Sequence, residues 1–186
     1  MKKIFVSNLI TLDGYFEGPG HEIDWFKTDH EFFDYAKSML NSADTILFGR
    51  VTYEMMAAFW PNATDEDPAI THKMNHLDKI VFSKTLTGVD WNNSRLVRDI
   101  LPDEIRKWKK GPGKDMVILG SGTVMSTMAQ MGLIDEYRIL VNPVVVGRGN
   151  PMFSGLRQNL HFRLIGTKIL GSGMVILYYE PVKQEG

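Results

Sequence analysis

Short apolar runs that alternate with helical patterns constrain this chain more than any other feature of its sequence. KIFVSNLITL (3–12) stops at Asp13-Gly14, and DTILFG (44–49), KIVFS (79–83) and DMVIL (115–119) are each short and almost wholly apolar. Runs of that length and composition read as strands buried on both faces. Between them lie helical spacings. Asp29 caps a stretch through Asn41 with Phe32, Phe33, Ala36, Met39 and Leu40 on one face. Arg50 to Phe59 places Val51, Met55 and Ala58 together and breaks at Trp60-Pro61. Residues 102–110 open on Pro102 and close on lysines, and a further helix is expected over 123–131. SRLVR (94–98) reads as a short strand. Strand and helix in alternation predict a mostly parallel sheet with helices on both faces. The segments 136–146, 162–169 and 174–180, the last two joined by LGSG, are expected to be antiparallel strands. The expected class is therefore α/β: a mixed, mostly parallel sheet closed by a C-terminal antiparallel hairpin, in one domain over 1–186.

Composition removes several function classes. Lys plus Arg is 21 against 22 for Asp plus Glu, a net charge of -1, so the positive excess expected of a nucleic-acid binder is missing. With no cysteine there is no disulfide scaffold, zinc-thiolate site, iron-sulfur cluster or cysteine nucleophile. The N-terminus carries no convincing signal peptide, because Ser7, Asn8 and Thr11 interrupt its apolar residues. The longest uncharged stretch, 116–134, holds eight Gly, Ser, Thr or Gln among 19 residues and reads as strand, turn and helix, not as a membrane span. A cytoplasmic protein with no membrane partner is the expectation.

Glycine falls in pairs. Ten of the 17 glycines form five GxG pairs, at 18/20, 111/113, 120/122, 147/149 and 171/173. The first lies in a glycine-rich loop, 14–28, of the kind that often binds ligands. In MVILGSGTV (116–124), glycines at a strand end let the backbone approach a phosphate, and the following helix offers free N–H groups; an ordinary tight turn explains the same residues. In ILFGRVTYE (46–54) a guanidinium, a hydroxyl and a helix start converge, and VFSKT (81–85) sets a hydroxyl beside an ammonium. Each alone is weak, but ligands of open α/β sheets collect at the carboxyl ends of strands, where all three stand.

Taken in order, TLDGYFEGPG, ILFGRVTYE, VFSKTL, VILGSGTV and GLIDEYRILVNPVVVGRGNPMF resemble the dihydrofolate reductase-like superfamily. The chain is most similar to the reductase domain of the bifunctional riboflavin-biosynthesis deaminase-reductase, over nearly its whole length. The resemblance implies a three-layer dihydrofolate reductase-like fold, a homodimer, and an NADPH-dependent reductase acting on a C=N or C=O of a small heterocyclic substrate, as in 5-amino-6-(5-phosphoribosylamino)uracil reduction. It implies that Gly49, Arg50, Val51 and Thr52 hold cofactor phosphates, that Ser83 and Lys84 face the adenosine 2'-phosphate, and that Gly120, Ser121, Gly122, Thr123 and Val124 cradle the pyrophosphate. Leu12, Asp13 and Gly14 would lie over the nicotinamide and substrate, with Trp25 and Tyr53, alongside Phe59 and Trp60, walling an aromatic pocket. Asp13 is the first candidate proton donor or substrate hydrogen-bonding group, followed by Asp24 and Asp29; an Asp-Gly turn that satisfies its own backbone is the alternative for Asp13. The alternatives are a dihydrofolate reductase and a non-catalytic nucleotide-binding or interaction protein of the same fold. The sequence departs from dihydrofolate reductases in placing Ser121, not a second glycine, after Gly120, and none of Asp29, Glu31 and Asp34 aligns with their helix acid.

Other motifs lead nowhere. His72 and His76 have an i, i+4 metal-ligand spacing but lack a third ligand nearby, so no metal is expected. Neither a GxSxG elbow nor a Walker A loop is present.

Overall fold

Strand β1 (Ile4–Thr11) runs through the middle of the molecule, and its alternation divides the core in two: Phe5 enters one apolar cluster, while Ile4 and Val6 enter the other. A computed structural model describes residues 1–182; positions 183–186 of the expected domain lie outside the described residues. After β1 come β2 (Tyr15–Glu17), α1 (His30–Ser42), β3 (Ala43–Gly49), α2 (Arg50–Phe59) and α3 (Pro68–His76). Then follow β4 (Asp78–Phe82), β5 (Ser94–Val97), α4 (Pro102–Lys110), β6 (Asp115–Leu119) and α5 (Gly122–Gln130). The chain continues through β7 (Glu136–Asn142), β8 (Asn150–Pro151), β9 (Phe162–Ile169) and β10 (Val175–Pro181).

Eight strands form one sheet in the order β5-β4-β3-β6-β1-β7-β10-β9, and β2 pairs with β8 in a separate two-stranded ribbon. From β5 to β7 every pairing is parallel; β10 runs antiparallel to both β7 and β9. One face is covered by Tyr35, Ala36, Met39 and Leu40 of α1 with Ile70 and Met74 of α3. Ile105 of α4 and Val124, Met125 and Met128 of α5 cover the other. The mixed, mostly parallel α/β sheet with helices on both faces and a closing hairpin is thus the fold.

Three details differ from expectation. The segment 136–146 is not an antiparallel strand throughout: β7 ends at Asn142, pairs in parallel with β1, and is antiparallel only to β10. Pro143 follows and has no N–H to continue a ladder. Helix α2 buries Thr52 and Tyr53, whereas Val51, Met55 and Ala58, the expected core face, are exposed. The reason is polar as much as apolar, since the Tyr53 hydroxyl accepts the N–H groups of Asp90 (3.1 Å) and Trp91 (3.0 Å) and its ring packs with Phe48 and Trp91. Finally, the 14–28 loop contains β2, which ties it to residues 150–151.

A charged side chain lies in this core. Lys79 is fully buried on β4, its ammonium donating to the Leu77 (2.8 Å) and Asn92 (3.0 Å) carbonyls 4.3 Å from the centre of the Trp91 ring. Burial pushes its pKa down to about 8 from 10.5. Between those values the unfolded chain binds the proton more tightly than the folded one, so stability attributable to Lys79 rises with pH there. Urea unfolding of the wild type and Lys79→Met is expected to show a wild-type gain, relative to the variant, of about 1–2 kcal/mol between pH 8 and 9.5; parallel pH profiles would contradict it.

Candidate functional site

The carboxyl ends of β3 and β6 lie side by side, and each hands the chain directly to a helix. Their two turns are bonded to each other. Ser121 Oγ accepts the Gly49 N–H at 2.6 Å, and Thr52 Oγ1 on α2 accepts the Ser121 N–H at 3.0 Å. From β1, the Asn8 side chain accepts the Gly120 N–H at 2.8 Å and donates back to the Gly120 carbonyl at 3.4 Å. The turn is sharp enough to place Gly120 (φ 62°) and Ser121 (φ 56°) consecutively in the left-handed region. Gly120 is needed there, because a Cβ would come within 2.9 Å of the Thr52 side chain. Ser121 is the strained position, at roughly 1–2 kcal/mol for a residue with a Cβ.

This wiring leaves two helix N-termini without side-chain caps. Gly49 has no side chain to cap α2, and Ser121, at the cap position of α5, uses its hydroxyl on Gly49 instead. Both sets of first-turn N–H groups therefore face a common space, with the positive ends of two helix dipoles behind them.

That space is an open cavity of about 910 Å³. Gly49, Arg50, Val51 and Thr52 line it from α2, Ser121, Gly122, Thr123 and Val124 from α5, and Ser83 and Lys84 from the end of β4. Thus ten residues from three segments of the sequence meet at one place. Gly120, the eleventh, is turned inward on Asn8 and does not line it. Arg98 and Asp99 close the β4/β5 end. The cations here are already engaged: Arg50 with Glu54 at 2.8 Å and Lys84 with Asp99 at 3.0 Å, while Arg98 donates to the Ser83 carbonyl at 3.1 Å. Exposed ion pairs of this kind contribute little to stability.

The expected substrate-side residues lie elsewhere. Leu12, Asp13, Gly14, Trp25, Asp29 and Tyr53 do not line the cavity. Asp13 accepts the Gly147 N–H at 2.8 Å and the Val146 N–H at 3.4 Å, and the Thr11 hydroxyl with these amides holds its carboxyl below the usual carboxylate range. Asp29 caps α1 through the Phe32 N–H at 2.7 Å and takes the Ser172 N–H at 2.7 Å; the same two groups lower its pKa. In this structure both acids tie loops together. Tyr53 belongs to the core, and Trp25 packs edge-on against Phe26 with its indole N–H buried and unpartnered among the described residues.

The opposite rim joins the glycine-rich loop singled out by the sequence to a segment that no local pattern connects with it. Phe16, Glu17 and His21 from the first loop and Asn150, Pro151 and Ser154 from the far end of the chain line it. The β2–β8 ribbon brings them together, with the Phe16 ring so close to Gly122 that a Cβ there would lie 3.1 Å from it. A contact across about 130 residues leaves no local spacing to read.

Residues 2–176 match the RibD C-terminal domain family. The chain belongs to that family. A Bacillus subtilis relative, the uncharacterized protein YyaP, is 33% identical over 182 residues, covering 96% of this chain and 94% of its own. Among solved structures, a candidate riboflavin biosynthesis protein of Shewanella sp. PV-4 superposes with a TM-score of 0.76 at 23% identity, covering 97% of this chain and 99% of that one. Dihydrofolate reductase from Enterococcus faecalis, complexed with NADP(H), gives 0.66 at 12% identity over 97% of each chain. At these identities the structural likenesses establish the dihydrofolate reductase-like fold of this family member.

The turn is the point where a small change should be felt. Thr52→Val keeps the shape of the side chain but removes the acceptor for the buried Ser121 N–H, and a loss of about 1–3 kcal/mol in chemical unfolding is expected. A variant as stable as the wild type would remove the clamp from the account.

Proposed function

We propose that this RibD C-terminal domain protein is an NADPH-dependent reductase of a small heterocyclic substrate. The observation that carries the reading is the meeting of two uncapped helix N-termini across one cavity with cationic side chains at its edge. A dinucleotide has the matching chemistry, a central diphosphate flanked by two nucleosides. The residues fit such a ligand. Space at the turn is kept by glycine, since a Cβ on Gly49 would come 3.2 Å from Ser121 Oγ and one on Gly122 would meet Phe16. The cavity volume lies near the upper end of that usual for ligand sites.

In this reading the first turns of α2 and α5 hold the diphosphate through backbone N–H groups. Arg50 exchanges Glu54 for a phosphate oxygen, and Lys84, with the Ser83 hydroxyl nearby, exchanges Asp99 for the adenosine 2'-phosphate. A dihydronicotinamide held here would supply a hydride to an electrophilic carbon, with the matching proton drawn from water in the open cavity, and the protein's contribution would be to orient the two reactants. The E. faecalis enzyme of the same fold is complexed with NADP(H), which supports the choice of cofactor. The family and the resemblance to the riboflavin-type reductase domain support a pyrimidine of that pathway over dihydrofolate, and the capping role of Asp29 points the same way. A homodimer, as the resemblance implies, completes the proposal.

Titration with NADPH, followed by nicotinamide fluorescence, is expected to show saturable binding. Arg50→Ala and Lys84→Ala should each weaken NADPH by about tenfold, and Lys84→Ala should weaken NADH much less. Absence of NADPH binding would sink the reductase reading, and equal loss of both cofactors in Lys84→Ala would remove Lys84 from the 2'-phosphate. NADPH oxidation with 5-amino-6-(5-phosphoribosylamino)uracil but not with dihydrofolate is the expected substrate outcome.

A further inference from the structure

The rim formed by the 14–28 loop and β8 contains a titratable pair without an assigned role. His21 Nδ1 lies 2.6 Å from Glu17 Oε1, and the same carboxylate oxygen accepts the Asn150 amide N–H at 2.7 Å. Glu17 is largely enclosed, its side chain 14% exposed, whereas that of His21 is 51% exposed. Against a carboxylate in its ionised form, which can only accept, the Nδ1 nitrogen is the one that carries the proton. Nε2 is then the nitrogen that gains or loses a proton, and it has no partner among the described residues. Both side chains line the cavity, and Phe16, adjacent to Glu17, rests on the first residue of α5.

His21 is held in that position at a cost. Its φ is 67°, in the left-handed region, and its N–H is bonded to the Gly18 carbonyl at 3.0 Å while Gly18 N–H bonds the Glu22 carbonyl at 2.8 Å. Arg148 stands on the segment that approaches the Glu17 backbone at Gly149, and Lys84, Arg98 and Asp99 line the far end of the cavity. Glu22, in the same loop, takes the Gly20 N–H at 2.7 Å; β8 brings Asn150 and Pro151, α5 has no acid in its first turn, and Arg50 of α2 is paired with Glu54. Glu17 is the charged group in direct contact with the imidazole.

We propose that His21 is a pH-responsive cation of the cofactor cavity, oriented by Glu17 to contact the diphosphate of a bound dinucleotide. This rests on the reading of the cavity as a dinucleotide site. With His21 neutral, Glu17 sets a net negative charge on a rim that faces an anionic ligand. With His21 protonated, the Glu17 charge is neutralised and Nε2–H becomes a donor for a phosphate oxygen. Because the ligand is bound with a proton on Nε2, dinucleotide affinity falls as pH rises and binding takes up a proton.

ADP-ribose is a suitable ligand for the test because its diphosphate carries no group that titrates near neutral pH. Calorimetric titration between pH 5.5 and 8.5 should show about tenfold tighter binding at the acid end, with proton uptake at neutral pH revealed by buffers of different ionisation enthalpy. His21→Asn, whose side chain tolerates a left-handed backbone, should abolish both the slope and the uptake and bind at all pH values like the wild type at pH 8.5. His21→Lys should restore tight binding without the slope; unchanged thermal unfolding of both variants would show that the loop is intact. A wild-type affinity independent of pH, or a slope retained in His21→Asn, overturns the role of His21 while leaving the cofactor site standing. Failure of ADP-ribose and NADPH to bind at any pH overturns both.

Discussion

The bond network at the end of β6 is the constraint on which the rest of the structure depends. Asn8, Thr52 and Ser121 each come from a different element, and together they hold a turn with two successive left-handed residues. Each buried hydrogen bond contributes about 1 kcal/mol, enough in sum to offset the strain at Ser121. The consequence is functional. Because Ser121 reaches across to Gly49 instead of capping its own helix, α2 and α5 both begin with free N–H groups, and the same clamp sets the distance between them. Removing the need for a tight turn would remove the cavity's defining chemistry.

The cavity has two unlike ends. At the β4/β5 end, positive charge is carried by Lys84 and Arg98 on a rigid parallel sheet, balanced by Asp99. At the other end, the short β2–β8 ribbon carries Glu17, His21 and Asn150, groups joined to one another rather than to the sheet. A ligand spanning both would meet fixed charge on one side and a titratable one on the other. The acids nearest β1 and α1 stay outside this division, since Asp13 and Asp29 are committed to loop backbone.

Much of this was legible from spacing. The helix over 102–110, the strand over 115–119 and the cap at Asp29 follow from rules that act within a few residues, and the structure repeats them. The resemblance likewise singled out three segments that meet in one cavity. Where the reading of α2 went astray, period alone could not decide: Val51-Met55 and Thr52-Met56 have the same spacing. Tyr53 chose the buried face by reaching the Asp90 and Trp91 amides, partners that no window around α2 contains.

By itself the sequence determined the alternation of strands and helices, hence a mostly parallel sheet, and the presence of glycines where strand ends turn into helices. Local patterns suffice there because hydrophobic periodicity and turn chemistry are properties of neighbouring residues. Only the tertiary structure decided that Ser121 would forgo its cap for Gly49, that Asp13 and Asp29 would be consumed by distant amides, and that Glu17 would meet Asn150 beside His21. Those choices depend on hydrogen bonds closed between residues 72 to 143 positions apart, whose partners exist only once the sheet has brought them together.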